Sequence, residues 1–298
     1  MYFKYLLCCC SKSHETDSIP AEPVGVVHKG NESSHLQLLD QGVSGVQGSV
    51  SLDDGSVNTA ALNVQDRSSD SVMPRLEIKV LDGTLLAPGQ TFKLGASGLE
   101  GSIRGVNDGE VYFGGVAEVK GAVVNDFVLP SEEGVGNRHF LIKYLPVERK
   151  YTIRDLGEGT GTFIKLTTKQ LLKDNYILSF GENHMVVQHC EMVAQELPKI
   201  TLKFIDGPKS DQVFQFQSTE SPIRIGRQSD CQIRFDDNSL SRYQCLMTYD
   251  AGVGWQLQDG DGRKNSTNGT WLFADFAFEV FDHMIFKAGQ SLFEVNVL

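Results

Sequence analysis

The sequence predicts an all-β protein: two tandem β-sandwich domains behind a disordered amino-terminal tail. Three observations predict it. From Pro74 onward, short runs alternate apolar and polar residues, as Leu76, Ile78 and Val80 alternate with Glu77 and Lys79; this is the period of a half-buried strand. Turn residues close the runs, Asp82-Gly83 after the first and Asp206-Gly207 after Ile200, Leu202 and Phe204. The two halves also repeat each other. Gly161 and Gly269 lie 108 residues apart, as do Gly181 and Gly289. A repeated offset with matching strand patterns reads as a domain duplication. The length agrees: 298 residues allow about two domains and a tail at ~100–150 residues per domain.

Residues 1–12 read Met1-Tyr2-Phe3-Lys4-Tyr5-Leu6-Leu7-Cys8-Cys9-Cys10-Ser11-Lys12. The apolar stretch is far short of the ~20 residues a membrane span needs. No small-x-small cleavage site follows it, and Tyr2 stands where myristoylation needs glycine. Adjacent thiols at Cys8, Cys9 and Cys10 behind an apolar end suit S-palmitoylation, and two or more acyl chains anchor stably. The expectation is a lipid anchor over 1–12, which would place the protein in the cytoplasm, peripheral on the cytoplasmic face of a membrane. Residues 13–73 are rich in Ser, Gly, Asp, Asn and Gln and read as a disordered tether. The sequons at Asn31, Asn265 and Asn268 read as chance matches.

The domains are expected over 74–194 and 198–298. In the second, alternation marks strands at Phe214/Phe216, Ile223/Ile225, Ile233/Phe235, Leu246/Thr248, Trp255/Leu257 and Phe293/Val295. Helical periodicity is scarce, with short helices expected at most over 168–174 or 275–280. Trp255, Trp271 and Phe286 read as core. Cys231 and Cys245 read as small buried residues within strands.

Charge narrows the function. With 27 basic and 38 acidic residues the formal charge is −11, which argues against a nucleic-acid partner held by a broad basic surface. No metal is expected, because no CxxC pair has a matching CxxC or HxxxH. No cofactor is expected either. Gly157-Glu158-Gly159-Thr160-Gly161 is glycine-rich but leads into a strand without a Walker Lys-Ser/Thr. G-x-S-x-G is absent, and His139, His184 and His189 have no metal-like partner. These readings favour a binding protein over an enzyme.

Polar groups gather at strand ends of the second domain. They are Gly226-Arg227, then Ser241-Arg242-Tyr243-Gln244, then Ser266-Thr267-Asn268-Gly269-Thr270-Trp271. Arginine offers planar bidentate donors, hydroxyls add more, and loop N–H groups complete a phosphate cradle.

In order and strand context these three segments resemble the forkhead-associated (FHA) family, whose pattern is GR, then SxxH, then NG on a β-sandwich that binds phosphothreonine peptides. The resemblance implies that Arg227 and Ser241 contact phosphate, with Arg242 beside them. It implies that Thr267 supplies a hydroxyl and that Asn268 grips the peptide backbone. Gly226 and Gly269 would shape the loops, and Gln244 stands where the family has a bracing His. It also implies a pocket for the threonine methyl that excludes phosphoserine. The first domain is similar to a degenerate member. Asp126–Leu129 align with Asp230–Ile233, and Gly136–His139 with Ser241–Gln244. The Ser position is then Gly136, the Gly-Arg position Gly114-Gly115 and the Asn-Gly position Thr160-Gly161. The fold is expected there without ordinary phosphothreonine binding, unless Arg104 or Arg138 substitutes. The expected function is a signalling adaptor that binds threonine-phosphorylated proteins through the second domain. The alternative is a scaffold in which neither domain reads phosphate.

Overall fold

The expected alternating runs form strands, except that Phe235 lies just beyond the strand Ile233–Arg234. The computed structural model describes residues 73–190 and 197–298; the expected anchor and the tether up to residue 72 lie outside them. Leu76–Asp82 and Lys199–Asp206 turn Leu76, Ile78, Val80 and Ile200, Leu202, Phe204 to the interior. Among the described residues the helical content is one 3-10 turn, Ser218–Glu220. The helices expected near 168–174 and 275–280 are replaced by short strands, Gln170–Leu171 and Phe278–Glu279, each paired to a sheet edge. That pairing satisfies their backbone groups without a helix.

One long sheet carries eleven strands. Its order is Val213–Gln217, Lys199–Asp206, Asn183–His189, Ile177–Phe180, Trp271–Phe273, Thr162–Lys165, Met284–Ala288, Ser291–Val297, Leu76–Asp82, Thr91–Gly95 and Gly98–Leu99. Two five-stranded sheets complete the sandwiches. One holds Glu110–Gly114, Phe127–Val128, Phe140–Leu145, Lys150–Asp155 and Phe278–Glu279; the other holds Ile223–Gly226, Ile233–Arg234, Cys245–Asp250, Gly254–Asp259 and Gln170–Leu171.

The sandwiches do not follow the chain. Leu76–Asp82 pairs with Ser291–Val297 from the far end of the sequence, and Asn183–His189 pairs with Lys199–Asp206. The core around Phe113, Phe140 and Ile153 is filled by Met284, Phe286, Phe293 and Val295. The core around Ile223, Ile225 and Trp255 is filled by Leu178, Phe180, Met185 and Val187. Each repeat therefore gives its last three strands to the other. Along the chain, core membership changes at Lys165/Leu166 and again at Phe273/Ala274. The crossing is sealed by antiparallel pairing of Thr162–Lys165 with Trp271–Phe273. These central strands are buried on both faces. Ile164 and Leu272 enter the two cores, while Phe163, Trp271 and Phe273 join Ile177 and Val186 in a separate cluster. Lys287 caps that cluster, its ammonium 4.9 Å from the Phe163 ring centre and 4.8 Å from that of Trp271. Desolvation lowers its pKa.

Trp255, Trp271 and Phe286 are core, as expected. Cys245 begins a strand, whereas Cys231 is buried in the loop before Ile233. Within Cys245–Asp250 the inward residues are Cys245 and Met247, one step out of phase with the expected Leu246/Thr248 pair.

Candidate functional site

The site begins where strand Ile223–Gly226 ends. A Cβ on Gly226 would lie 2.3 Å from the Arg242 carbonyl oxygen, so only glycine lets the Ser241–Tyr243 loop close over the strand end. Two backbone bonds stitch the loops together there. The Arg227 amide donates to the Ser241 carbonyl at 3.2 Å, and the Gln228 amide to the Arg242 carbonyl at 3.1 Å.

Arg227 is aimed by its own neighbourhood. Its Nε donates to the Leu240 carbonyl at 3.0 Å, and the Leu240 side chain is anchored in the core. The outer guanidinium nitrogens stay in an exposed side chain. Among the described residues, none of the ion pairs involves Arg227, Arg242 or Lys264. In a chain of net charge −11, three cations without carboxylate ion pairs concentrate positive charge around one cleft.

The hydroxyl side is equally fixed. Ser241 Oγ accepts from the Thr267 amide at 2.9 Å and donates to Thr267 Oγ1 at 3.3 Å. Asn268 Nδ2 donates to the Ser239 carbonyl at 3.3 Å, and Trp271 Nε1 holds the Asn268 carbonyl at 3.1 Å. Thr267 and Asn268 remain exposed at the rim. Gly269 turns with φ +80°, a conformation glycine adopts without strain.

Gln244 braces both loops from beneath. Its Oε1 accepts from the Ser241 amide at 3.2 Å, and its Nε2 donates to the Gly269 carbonyl and to Ser266 Oγ, each at 3.0 Å. In the first repeat, His139 Nδ1 accepts from the Gly136 amide at 3.1 Å and its Nε2 faces the Gly161 carbonyl at 3.3 Å. The Gly136 amide donating to Nδ1 places the ring proton on Nε2, and burial lowers the His139 pKa. One amide side chain thus makes the same two bonds as the imidazole. Below Gln244, Asp259 accepts from Ser266 N, Ser266 Oγ and Thr270 Oγ1 at 2.7–2.9 Å.

Together these groups frame a cleft of about 470 Å³ lined by Arg227, Ser239, Ser241, Arg242, Lys264 and Thr267. Asp261 at its edge is occupied by the Lys264 and Arg263 amides, which hold its carboxyl below the usual range. The structure brings Arg227, Ser241, Arg242 and Thr267 together in the cleft wall, with Asn268 on the rim. Lys264 and Asn265 are lining residues missed by sequence reasoning. The signal was a length difference: nine residues separate Asp259 from Gly269, against five between Asp155 and Gly161.

The first repeat shows why that length matters. Gly114 has the role of Gly226, since a Cβ there would lie 2.1 Å from the Asn137 carbonyl oxygen. Gly136 has the place of Ser241, and Gly115 that of Arg227. The short loop folds in: a Cβ on Gly136 would lie 2.4 Å from Glu158 Cβ. Glu158 accepts from the Arg138 amide at 3.1 Å, and the Thr160 amide donates to the Gly134 carbonyl at 2.8 Å. Neither arginine replaces the missing cation. Arg104 is bound to Asp108 and Asp126, and Arg138 stacks 4.0 Å from the Tyr112 ring centre. Strand pairing also places Phe127 level with Ile233, so the expected alignment of Asp126–Leu129 is two residues out of register.

Sequence comparison gives the family. The FHA domain model matches residues 121–181 and 223–275. No curated protein and no solved structure matches the chain. FHA domains are phosphothreonine-binding protein-interaction modules. The chain thus carries two regions that match the FHA domain, consistent with a tandem pair.

Proposed function

We propose that the second FHA copy reads phosphothreonine on partner proteins and that the first copy is a non-reading structural partner. The observation that carries this is the contrast between equivalent positions. Arg227, Ser241 and Thr267 face an open cleft, while Gly115, Gly136 and Glu158 close its counterpart.

A phosphothreonine carries about −1.5 to −2 charge at neutral pH and three acceptor oxygens. The outer nitrogens of Arg227 meet that phosphate, and the hydroxyls of Ser241 and Thr267 donate to its remaining oxygens. Asn268 leaves Ser239 to grip the peptide main chain. Each charged hydrogen bond adds ~1.5–3 kcal/mol net, so three account for most of the ~8 kcal/mol of a micromolar complex. The methyl pocket implied by the family makes threonine preferred over serine. Acylation at Cys8–Cys10 would hold the reader at a membrane as an adaptor; that step rests on the thiol cluster alone.

A phosphothreonine peptide library presented to the full chain tests the proposal. Enrichment of phosphorylated over unphosphorylated peptides is expected. Equal retention of both sets would favour a phospho-independent scaffold.

A further inference from the structure

Building on the phosphothreonine reading of the Arg227 cleft, we infer that this site belongs to both repeats, with Lys165 and Gly181 of the first repeat as positioning residues for the second.

Two contacts carry the inference. The first reaches Arg227. The turn between strands Ile177–Phe180 and Asn183–His189 lies against the site loop, and a Cβ on Gly181 would lie 3.0 Å from Leu240 Cδ2 and 3.9 Å from Ser239 Oγ. Leu240 is the residue whose carbonyl takes the Arg227 Nε bond. Its side chain is set by the first repeat, and its carbonyl sets the guanidinium.

The second contact reaches Asn268. The Lys165 stem passes under the Asn268-Gly269 turn, with Cε 2.8 Å and Cγ 3.5 Å from the position of a Cβ on Gly269. The Lys165 ammonium lies 5.8 Å from the Trp271 ring centre, and Trp271 Nε1 holds the Asn268 carbonyl. The next residue, Leu166, donates its amide to the Thr270 carbonyl at 2.9 Å. Deeper in the sandwich, Phe180 packs edge-on against Phe235 at 5.8 Å, and the Phe235 amide bonds the Gly226 carbonyl at 2.9 Å. Both phosphate-binding loops therefore stand on residues 165–181 of the first repeat. Residues 197–298 alone contain every phosphate-contacting group and lack this support.

The test uses the full chain and a phosphothreonine peptide selected on it. Lys165→Ala is expected to weaken peptide binding about tenfold, within the coupling measured for contacting residues, with an unchanged melting temperature. Lys165→Met keeps the stem and is expected to restore affinity. A protease site placed in 191–196 gives a second readout that needs no peptide. After cleavage the halves are expected to co-elute in native buffer and to separate only in denaturant. Native separation of the halves would overturn the inference, as would full affinity in Lys165→Ala or in residues 197–298 alone. Loss of affinity accompanied by a lowered melting temperature in Lys165→Ala, or no rescue in Lys165→Met, would also count against it. Co-eluting halves with no phosphothreonine preference in the intact chain would instead overturn the phosphothreonine reading, and the positioning role with it.

Discussion

Ile164 and Leu272 stand directly opposite each other in the strand pair that joins the two sandwiches, and they are also equivalent residues of the two repeats, 108 positions apart. The neighbouring pairs, Phe163 with Phe273 and Lys165 with Trp271, exchange under the same shift. An approximate twofold axis therefore passes through the Ile164–Leu272 pair. Each strand beyond it continues into the other repeat's sandwich, which is strand exchange within one chain.

This exchange predicts a cross-link. Lys79 faces Glu294, whereas the equivalent Lys203 faces Val186. Two unexchanged domains would place Lys79 opposite Val186. Lys79→Cys with Glu294→Cys is expected to form a disulfide under mild oxidation, and Lys79→Cys with Val186→Cys is not. Mass spectrometry of non-reduced peptides reads the outcome.

The bracing amide predicts a substitution series. Gln244→Ala leaves the buried Gly269 carbonyl and the Ser241 amide without partners, at about 1–3 kcal/mol each. The melting temperature is expected to fall by at least about 4 °C, together with phosphopeptide affinity. Gln244→His is expected to recover most of both, because His139 makes the equivalent bonds. A histidine variant as weak as the alanine variant would show that the imidazole does not fit this loop.

Much of the site could be read in the sequence because its constraints are local. Gly226 must be glycine beside Arg242, Gly269 must turn, and Gln244 sits three residues after Ser241 just as His139 sits three after Gly136. The exchange could not be read. Leu76–Asp82 needs an apolar antiparallel neighbour, and Asn183–His189 and Ser291–Val297 offer nearly the same pattern. Choosing between them depends on where the chain goes after Lys165, and alternation carries no such information. The expected helices failed for a related reason: Gln170–Leu171 and Phe278–Glu279 are fixed by the sheet edge they join and not by their own periodicity.

The first repeat carries a pH signature at Asp155. Asp155 corresponds to Asp259 but has no serine partner. Its Oδ1 accepts from the Gly157 amide at 2.7 Å, and burial outweighs that bond and the Thr162 donors to raise its pKa from 3.8 to about 6. The folded state thus favours the protonated form. The stability it contributes is complete below pH 3.8 and is lost as pH rises through about 6, the reverse of an ion-paired aspartate. Asp155→Asn is expected to remove that slope in denaturant melts of the full chain. An unchanged slope would assign it to other groups.

The proposed acylation of Cys8–Cys10 has its own test. Replacing Cys8, Cys9 and Cys10 together by serine is expected to move the protein from the membrane fraction to the soluble fraction and to abolish hydroxylamine-sensitive acyl labelling. Membrane retention without the three thiols would rule out the acyl anchor.

The proposed reading of a phosphate on threonine by Arg227 and its neighbours is tested by calorimetric titration of the full chain and of Arg227→Ala with one peptide in phosphothreonine and threonine forms. Micromolar binding of the phosphorylated peptide alone is expected. Arg227→Ala is expected to weaken this at least about tenfold through lost charged hydrogen bonds, with an unchanged melting temperature. Equal affinity for the two peptides, or full affinity in Arg227→Ala, would contradict that reading.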